Sequence, residues 1–196
     1  MTTLIGIIGA VGSGKDTCGY YLVSNYNYTS TSFAKKLKDV LSVVFGWDRE
    51  MLEGASKESR EWREIVDPYW GLSPRAAMQK VGTDMFRKHI DPDVWVKAVV
   101  KEILSNPGTN YVITDCRFEN EVAAIKELGG KIIYVERGKL PPWAEEAKAG
   151  KPYNEKYGVH VSDWNSYALH TLADVKISNN GTLTELYSTI EHLLAK

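Results

Sequence analysis

The stretch "GAVGSGKDT", Gly9 to Thr17, decides how the rest of the chain is read. Its spacing of Gly9, Gly14 and Lys15 is that of a phosphate-binding loop, G-x-x-x-x-G-K. Glycines let backbone N–H groups turn inward around phosphate oxygens. A following helix N-terminus adds partial positive charge, and the lysine adds a full one. The context this motif needs is present: "LIGIIG" (4–9) reads as a buried strand and "DTCGYYLVSNY" as a helix. One position departs from the usual form. Asp16 stands where Ser or Thr normally offers a hydroxyl to Mg²⁺. A carboxylate can hold a metal-bound water, and Thr17 brings a hydroxyl one residue later, which makes Asp16 and Thr17 the candidate metal ligands. The plainer alternative is that Asp16 complements the helix N-terminus electrostatically.

The chain has 196 residues, which suggests one domain (1–196) with inserted lobes. At 43% hydrophobic residues it can build a sizeable core. A net charge of −1 without a basic stripe disfavours nucleic-acid binding. Cys18 and Cys116 cannot make a disulfide framework and fit no zinc spacing. A reducing cytoplasm is the simplest compartment. The apolar start has no basic residue before it and is too short to span a bilayer, so neither a signal peptide nor a membrane partner is expected.

Five runs read as strands: 4–9, 28–33, 111–115, 131–136 and 174–178. The first, third and fourth are rich in Val and Ile without clear alternation, as in parallel strands covered on both faces. Helical patterns lie between them, so the order is α/β. Ser73 with Pro74, and Asp91 with Pro92, are helix-start signals; Gly129 and Gly130 form a helix stop. Two connections are long, 34–105 and 138–170, and long connections are often functional lids. A helical insertion plus a lid is how a kinase closes over substrates and excludes water.

Other residues carry chemistry. "YVITDCR" ends a strand in Asp115, and a strand-end carboxylate beside the loop can position Mg²⁺ or its waters. Arg117 could clamp a transferring phosphoryl group; its plain alternative is pairing with Glu119 or Glu121. If Ser32 caps a helix, Lys35, Lys36 and Lys38 crowd its first turns, where a bound anion would relieve the dipole conflict. On the next helix Arg75, Gln79 and Gly82 share a face, with Phe86 following. Arginine can hold a phosphate, and glutamine can read a base edge. Arg87 and Trp95 lie farther along, with core packing as the plain alternative for Trp95. Beyond Arg137 no arginine occurs, so a lid cation must be a lysine, His160 or Arg137 itself. The histidines show no ligand-like pairing.

Six ordered blocks now match a known family: "GAVGSGKDT", "FAKKLKD", "MQKVGTDMFRKHIDPDVWV", "VITDCRFENEVAAIKELGGKIIYVER", "HVSDW" and "ADVKISNNGTLTEL". The chain resembles the phage-type deoxynucleoside monophosphate kinases, in the P-loop nucleoside monophosphate kinase branch. In that family "SGKDT" is a usual form of the loop. The resemblance implies a three-layer α/β fold, with a five-stranded parallel sheet, an acceptor-binding insertion and a lid. It implies transfer of the γ-phosphate of ATP, with Mg²⁺, to a deoxynucleoside 5′-monophosphate. By position, Gly9, Gly12, Ser13, Gly14, Lys15, Asp16 and Thr17 would hold the ATP phosphates. Arg137, Asn179 and Gly181 would flank the adenine. Lys38, Arg75, Gln79, Arg87 and Trp95 would serve the acceptor. Lys15, Asp115 and Arg117 would lie at the reacting phosphates. Asp163 stands in "HVSDW" where many relatives carry glutamate. A homodimer is compatible with the resemblance, as is the cytoplasm of a host cell. Two other readings stand beside it: a small-metabolite kinase similar to dephospho-coenzyme A or phosphomevalonate kinases, and a nucleotide-binding module without turnover.

Overall fold

The computed structural model describes residues 2–194. Met1, Ala195 and Lys196, the ends of the expected 1–196 domain, lie outside the described residues. The described residues fold as two compact units, 2–32 with 102–194, and 33–101.

The first unit is built on five parallel strands: β1 (Leu4–Ile8), β2 (Tyr28–Thr31), β3 (Asn110–Ile113), β4 (Lys131–Glu136) and β5 (Val175–Ser178). Their order is β2-β3-β1-β4-β5. Every residue of β1 is buried, as its unbroken apolar run requires of a central parallel strand. The polar run at 28–33 is a strand because it lies at the edge, where Thr29 and Ser30 face solvent. Helices cover both faces. On one, Ile5, Ile7, Val112, Ile133, Val135 and Ile177 pack with Cys18 and Leu22 of α1 (Lys15–Tyr26). The closing helix, Leu183–Leu194, adds Leu186 and Ile190 to that core. On the other face, an added Cβ at Gly6 would meet Ile132 and Ile125. Ile125 belongs to α7 (Glu119–Glu127), which stops at Gly129 as its sequence signals.

The second unit is helical. It contains α2 (Lys35–Phe45), α3 (Arg49–Glu53), α4 (Lys57–Trp62), α5 (Pro74–Gln79), a π-helical segment (Lys80–Arg87) and most of α6 (Val94–Leu104). Three expectations are corrected here. Ala34, not Ser32, stands at the N-cap of α2. α6 begins at Val94, because the Asp91 carboxylate closes a turn onto the Asp93 N–H (2.9 Å) instead of capping a helix. The Ser73–Pro74 start of α5 holds, with the Ser73 hydroxyl accepting from the Ala76 N–H. Beyond Gln79, however, the wider π turn breaks the shared face. Gly82 is buried against Leu37 rather than aligned with Arg75 and Gln79.

In the first unit, Gly19 lies inside α1 where a Cβ would overlap the Thr114 methyl. Alanine normally gains about 1 kcal/mol over glycine inside a helix, but overpacking costs about 1–3 kcal/mol. Gly19→Ala is therefore expected to destabilise the protein in denaturant unfolding. Adding Thr114→Ser, which deletes that methyl and keeps the hydroxyl, should restore the stability.

Candidate active site

The loop between β1 and α1 is shaped by close approach. Gly14 sits at φ 98°, a left-handed conformation that favours glycine, and it forms the N-cap of α1. An added Cβ there would overlap the Asn179 side-chain amide. That amide reaches across from the end of β5 and donates to the Ser13 carbonyl (2.9 Å). Asn179 itself is anchored by its backbone N–H on the Glu136 carbonyl (2.7 Å). Its amide thus helps to build the loop. The Ser13 hydroxyl is buried and has no hydrogen-bond partner among the described residues. A buried orphan of this kind inside a glycine-rich loop fits a phosphate oxygen or a water.

Lys15 opens α1 and is buried, with its ammonium 2.7 Å from Asp16 Oδ2. Asp16 is exposed and Thr17 half-buried. Desolvation by the surrounding loop would raise the Asp16 carboxyl. The Lys15 ammonium, the Thr114 hydroxyl and the Arg117 guanidinium outweigh it and hold the group below its ordinary value. No group of three or more His, Cys, Asp or Glu able to hold a metal occurs among the described residues. Magnesium asks for less: one or two carboxylates, waters and substrate phosphates. Asp16 and Thr17 fit that demand.

Asp115 lies two residues beyond the end of β3, not on the strand as the apolar run suggests. Arg117 follows it. The backbone N–H groups of Arg117 and Phe118 both donate to Glu121 Oε2 (2.6 and 3.1 Å), a nearly inaccessible carboxylate. The Arg117 side chain goes elsewhere than the expected Glu119 or Glu121. Its Nη1 lies 2.8 Å from Asp163 Oδ1 and 3.4 Å from the Ser162 carbonyl. Asp163 stands in the first turn of α9 (Val161–Ala168), within the long segment after β4. That segment also holds α8 (Pro142–Lys148). Ala144, Ala147, Trp164 and Tyr167 bury one another there, and Ala10 of the phosphate loop packs against them. Lys148 ties the segment to the Glu136 carboxylate at the end of β4 (2.8 Å). His160 caps α9, accepting from the Ser162 N–H (3.2 Å). Arg137 is exposed just past β4, and Gly181 lies next to Glu185 in the turn before the last helix.

The remaining candidates belong to the helical unit. Lys38 is buried and paired with Glu53 Oε1 (2.6 Å), so its charge is matched within the fold. Arg75 and Gln79 occupy α5, both half-buried. Arg87 donates to the Pro92 carbonyl (3.2 Å). Trp95 is a packing residue: it is buried, stands 5.0 Å from the Phe86 ring, and donates its indole N–H to the Gly82 carbonyl (2.9 Å). Two participants escaped the sequence reading. Thr114 had no motif to mark it, and the Arg117–Asp163 pair joins residues 46 positions apart.

A glycine-built loop between a central parallel strand and a helix, with a lysine at the helix start, defines a P-loop fold. Solved structures agree on the fold. Shikimate kinase from Aquifex aeolicus superposes with a TM-score of 0.51 at 16% identity, covering 98% of this chain and 96% of its own. Dephospho-CoA kinase from Campylobacter jejuni gives 0.52 at 14%, covering 98% and 95%. The sequence profile of the family described as deoxynucleotide monophosphate kinase matches residues 59–190. A protein of Acanthamoeba polyphaga mimivirus, provisionally assigned to that activity, is 31% identical over 95% of this chain and 93% of its own. The deoxynucleotide monophosphate kinase of Enterobacteria phage T4 is 25% identical over 97% and 98%. The chain belongs to the deoxynucleotide monophosphate kinase family. It is thus a phosphotransferase that uses a nucleotide donor, and the small-metabolite and non-catalytic readings are not favoured. Among the described residues no helix is long and apolar enough to cross a membrane.

The ionic surroundings of Asp16 can be measured. By NMR titration its carboxyl should have a midpoint below the ordinary 3.8. A depressed folded-state value means that its stabilising contribution exists above the unfolded value and is lost as pH falls through the folded one. In Lys15→Met the midpoint should rise; an unmoved midpoint would show that Lys15 does not hold the charge.

Proposed function

We propose that the enzyme transfers the γ-phosphate of ATP to a deoxynucleoside 5′-monophosphate, giving the diphosphate and ADP. The observation that carries this reading is the loop itself: a buried Lys15 at a helix start beside an orphaned buried hydroxyl, in a chain of this family. An oxygen of the acceptor phosphate forms the new bond to the γ-phosphorus. The bond from that phosphorus to the β–γ bridging oxygen breaks, and ADP leaves. A phosphate monoester is largely dianionic at pH 7, its second pKa being about 6. No strong general base is required, and the work is positioning and charge neutralisation.

Gly9, Gly12, Ser13 and Gly14 would surround the donor phosphates with backbone N–H groups. Lys15 would exchange Asp16 for those phosphates as its partner. Asp16 or Thr17 would hold Mg²⁺ directly or through water. The ion, when bound, supplies compensation for charge on the phosphate oxygens. Arg117, already oriented by Asp163, would meet the transferring group, with Asp115 beside it. Arg137 and Gly181 would border the adenine. In the helical unit Arg75 would take the acceptor phosphate and Gln79 the base edge, supported by Arg87 and Lys38. Residues 138–170 would serve as the lid.

Lys15→Met should lower turnover by about 10³-fold or more, since a preorganised charge at the reacting phosphates is lost, while the folded structure persists. A coupled ATP-consumption assay reads this, and near-normal turnover would refute the role. Asp16→Ala and Thr17→Ala, titrated across Mg²⁺ concentrations, should shift the half-saturating Mg²⁺ in one variant. No shift in either removes the metal role from both. The acceptor is tested by ATP consumption against a panel of deoxy- and ribonucleoside monophosphates, including modified pyrimidines. Consumption with deoxynucleotides is expected, and consumption only with an unrelated alcohol or phosphate would overturn the reading.

A further inference from the structure

In the helical unit one arginine keeps a buried donor without a partner among the described residues. Where α2 meets α3, three cations share the carboxylates of Asp39 and Glu53. Arg49 binds Asp39 through Nε (2.7 Å) and Glu53 Oε2 through Nη1 (2.7 Å). Lys38 takes Glu53 Oε1 (2.6 Å), and Lys36 takes Asp39 (3.3 Å). Both oxygens of Glu53 are thereby used. Arg63, just past α4, has its Nε fully buried and without a hydrogen-bond partner among the described residues. Its guanidinium packs close to Gly54, where an added Cβ would overlap it. The Arg63 carbonyl accepts from the Arg75 N–H (2.9 Å), so the two arginines are fastened at the backbone.

This arrangement is costly without a partner. A buried donor left unmade carries its desolvation penalty, more so when charged. A lysine or histidine could shed its proton, whereas arginine stays charged. Desolvation and the nearby Arg75 charge both push the Arg63 guanidinium down from its ordinary value, opposed by Glu64 and Glu53. An anion that accepts from the guanidinium would offset its charge, and a phosphate monoester suits the planar fork.

We propose that Arg63 is a further acceptor-binding residue, acting with Arg75 on the phosphate of the incoming deoxynucleoside monophosphate. The inference rests on the reading above that the helical unit takes the acceptor. It adds a residue outside the six matching blocks and gives Arg75 a second guanidinium to work with.

The test uses Arg63→Met, which keeps an unbranched stem and removes the charge, and Arg63→Lys, which keeps a charge without the fork. Binding of a deoxynucleoside monophosphate, of the matching deoxynucleoside and of inorganic phosphate is measured by calorimetry without ATP, and turnover is measured with ATP. In Arg63→Met the monophosphate Kd and KM should rise at least about tenfold, the loss expected for one charge-assisted hydrogen bond. Deoxynucleoside affinity and the KM for ATP should stay within about twofold of wild type on the same argument. Inorganic phosphate should compete with the monophosphate in wild type only, and Arg63→Lys should recover part of the loss. An unchanged monophosphate Kd in Arg63→Met overturns the proposal and leaves Arg63 a packing residue. An increase in the ATP KM alone overturns it in favour of a donor contact. If wild type itself neither binds nor phosphorylates any deoxynucleoside monophosphate, the underlying function fails instead.

Discussion

The missing side chain at Gly14 is the constraint on which the rest of the first unit depends. Only without a Cβ can the Asn179 amide close onto the Ser13 carbonyl, and only a left-handed residue turns the chain there into α1. That single approach fastens the end of β5 to the turn after β1. Asn179 is in turn held by the Glu136 carbonyl at the end of β4. Three strand ends are thus drawn together around one loop, at the carboxyl edge where open α/β sheets bind their ligands. The loop's N–H groups are preorganised by contacts that no substrate has to provide.

The two units solve burial in different ways. The sheet unit hides its polar backbone in parallel ladders and covers both faces with apolar helix surface. The helical unit buries Leu37, Leu41 and Leu52 and adds stacked and edge-on rings, Phe45 with Trp47 and Trp70, and Trp47 with Trp62. It also keeps buried or half-buried cations, Lys38, Arg49 and Arg63, inside its fabric. Holding charge inside a fold costs desolvation, which the carboxylates of Asp39 and Glu53 offset for Lys38 and Arg49.

What could be read from the amino-acid order follows from the range of the interactions involved. All five strands and the loop were legible, because apolar runs and glycine spacing are local signals. The polar β2 was legible only in combination, since its place at the edge depends on pairing with β3. Helix starts were read where proline and a cap residue fell together, at Ser73, and misread at Asp91, where the same residue types close a turn. The π segment after Gln79 was invisible, as nothing in "KVGTDMFR" marks an i→i+5 pattern, and with it went the shared face of Gly82. The partners of Arg117 and Lys38 were missed because they are set by tertiary packing. Trp95 illustrates the limit well: size and aromaticity suit a binding role and a core role equally, and only burial tells them apart.

The segment after β4 carries a small core of its own. Its indole and phenol rings enclose two alanines, and it is tied down by Lys148 on Glu136 and by Asp163 on Arg117. A strip of chain with its own core cannot peel away residue by residue. It can part from the loop only as a block, breaking two ion pairs and wetting a wall of aromatic surface in one event. The two ion pairs and the shared aromatic core thus hold it as one block, like a latch with two bolts.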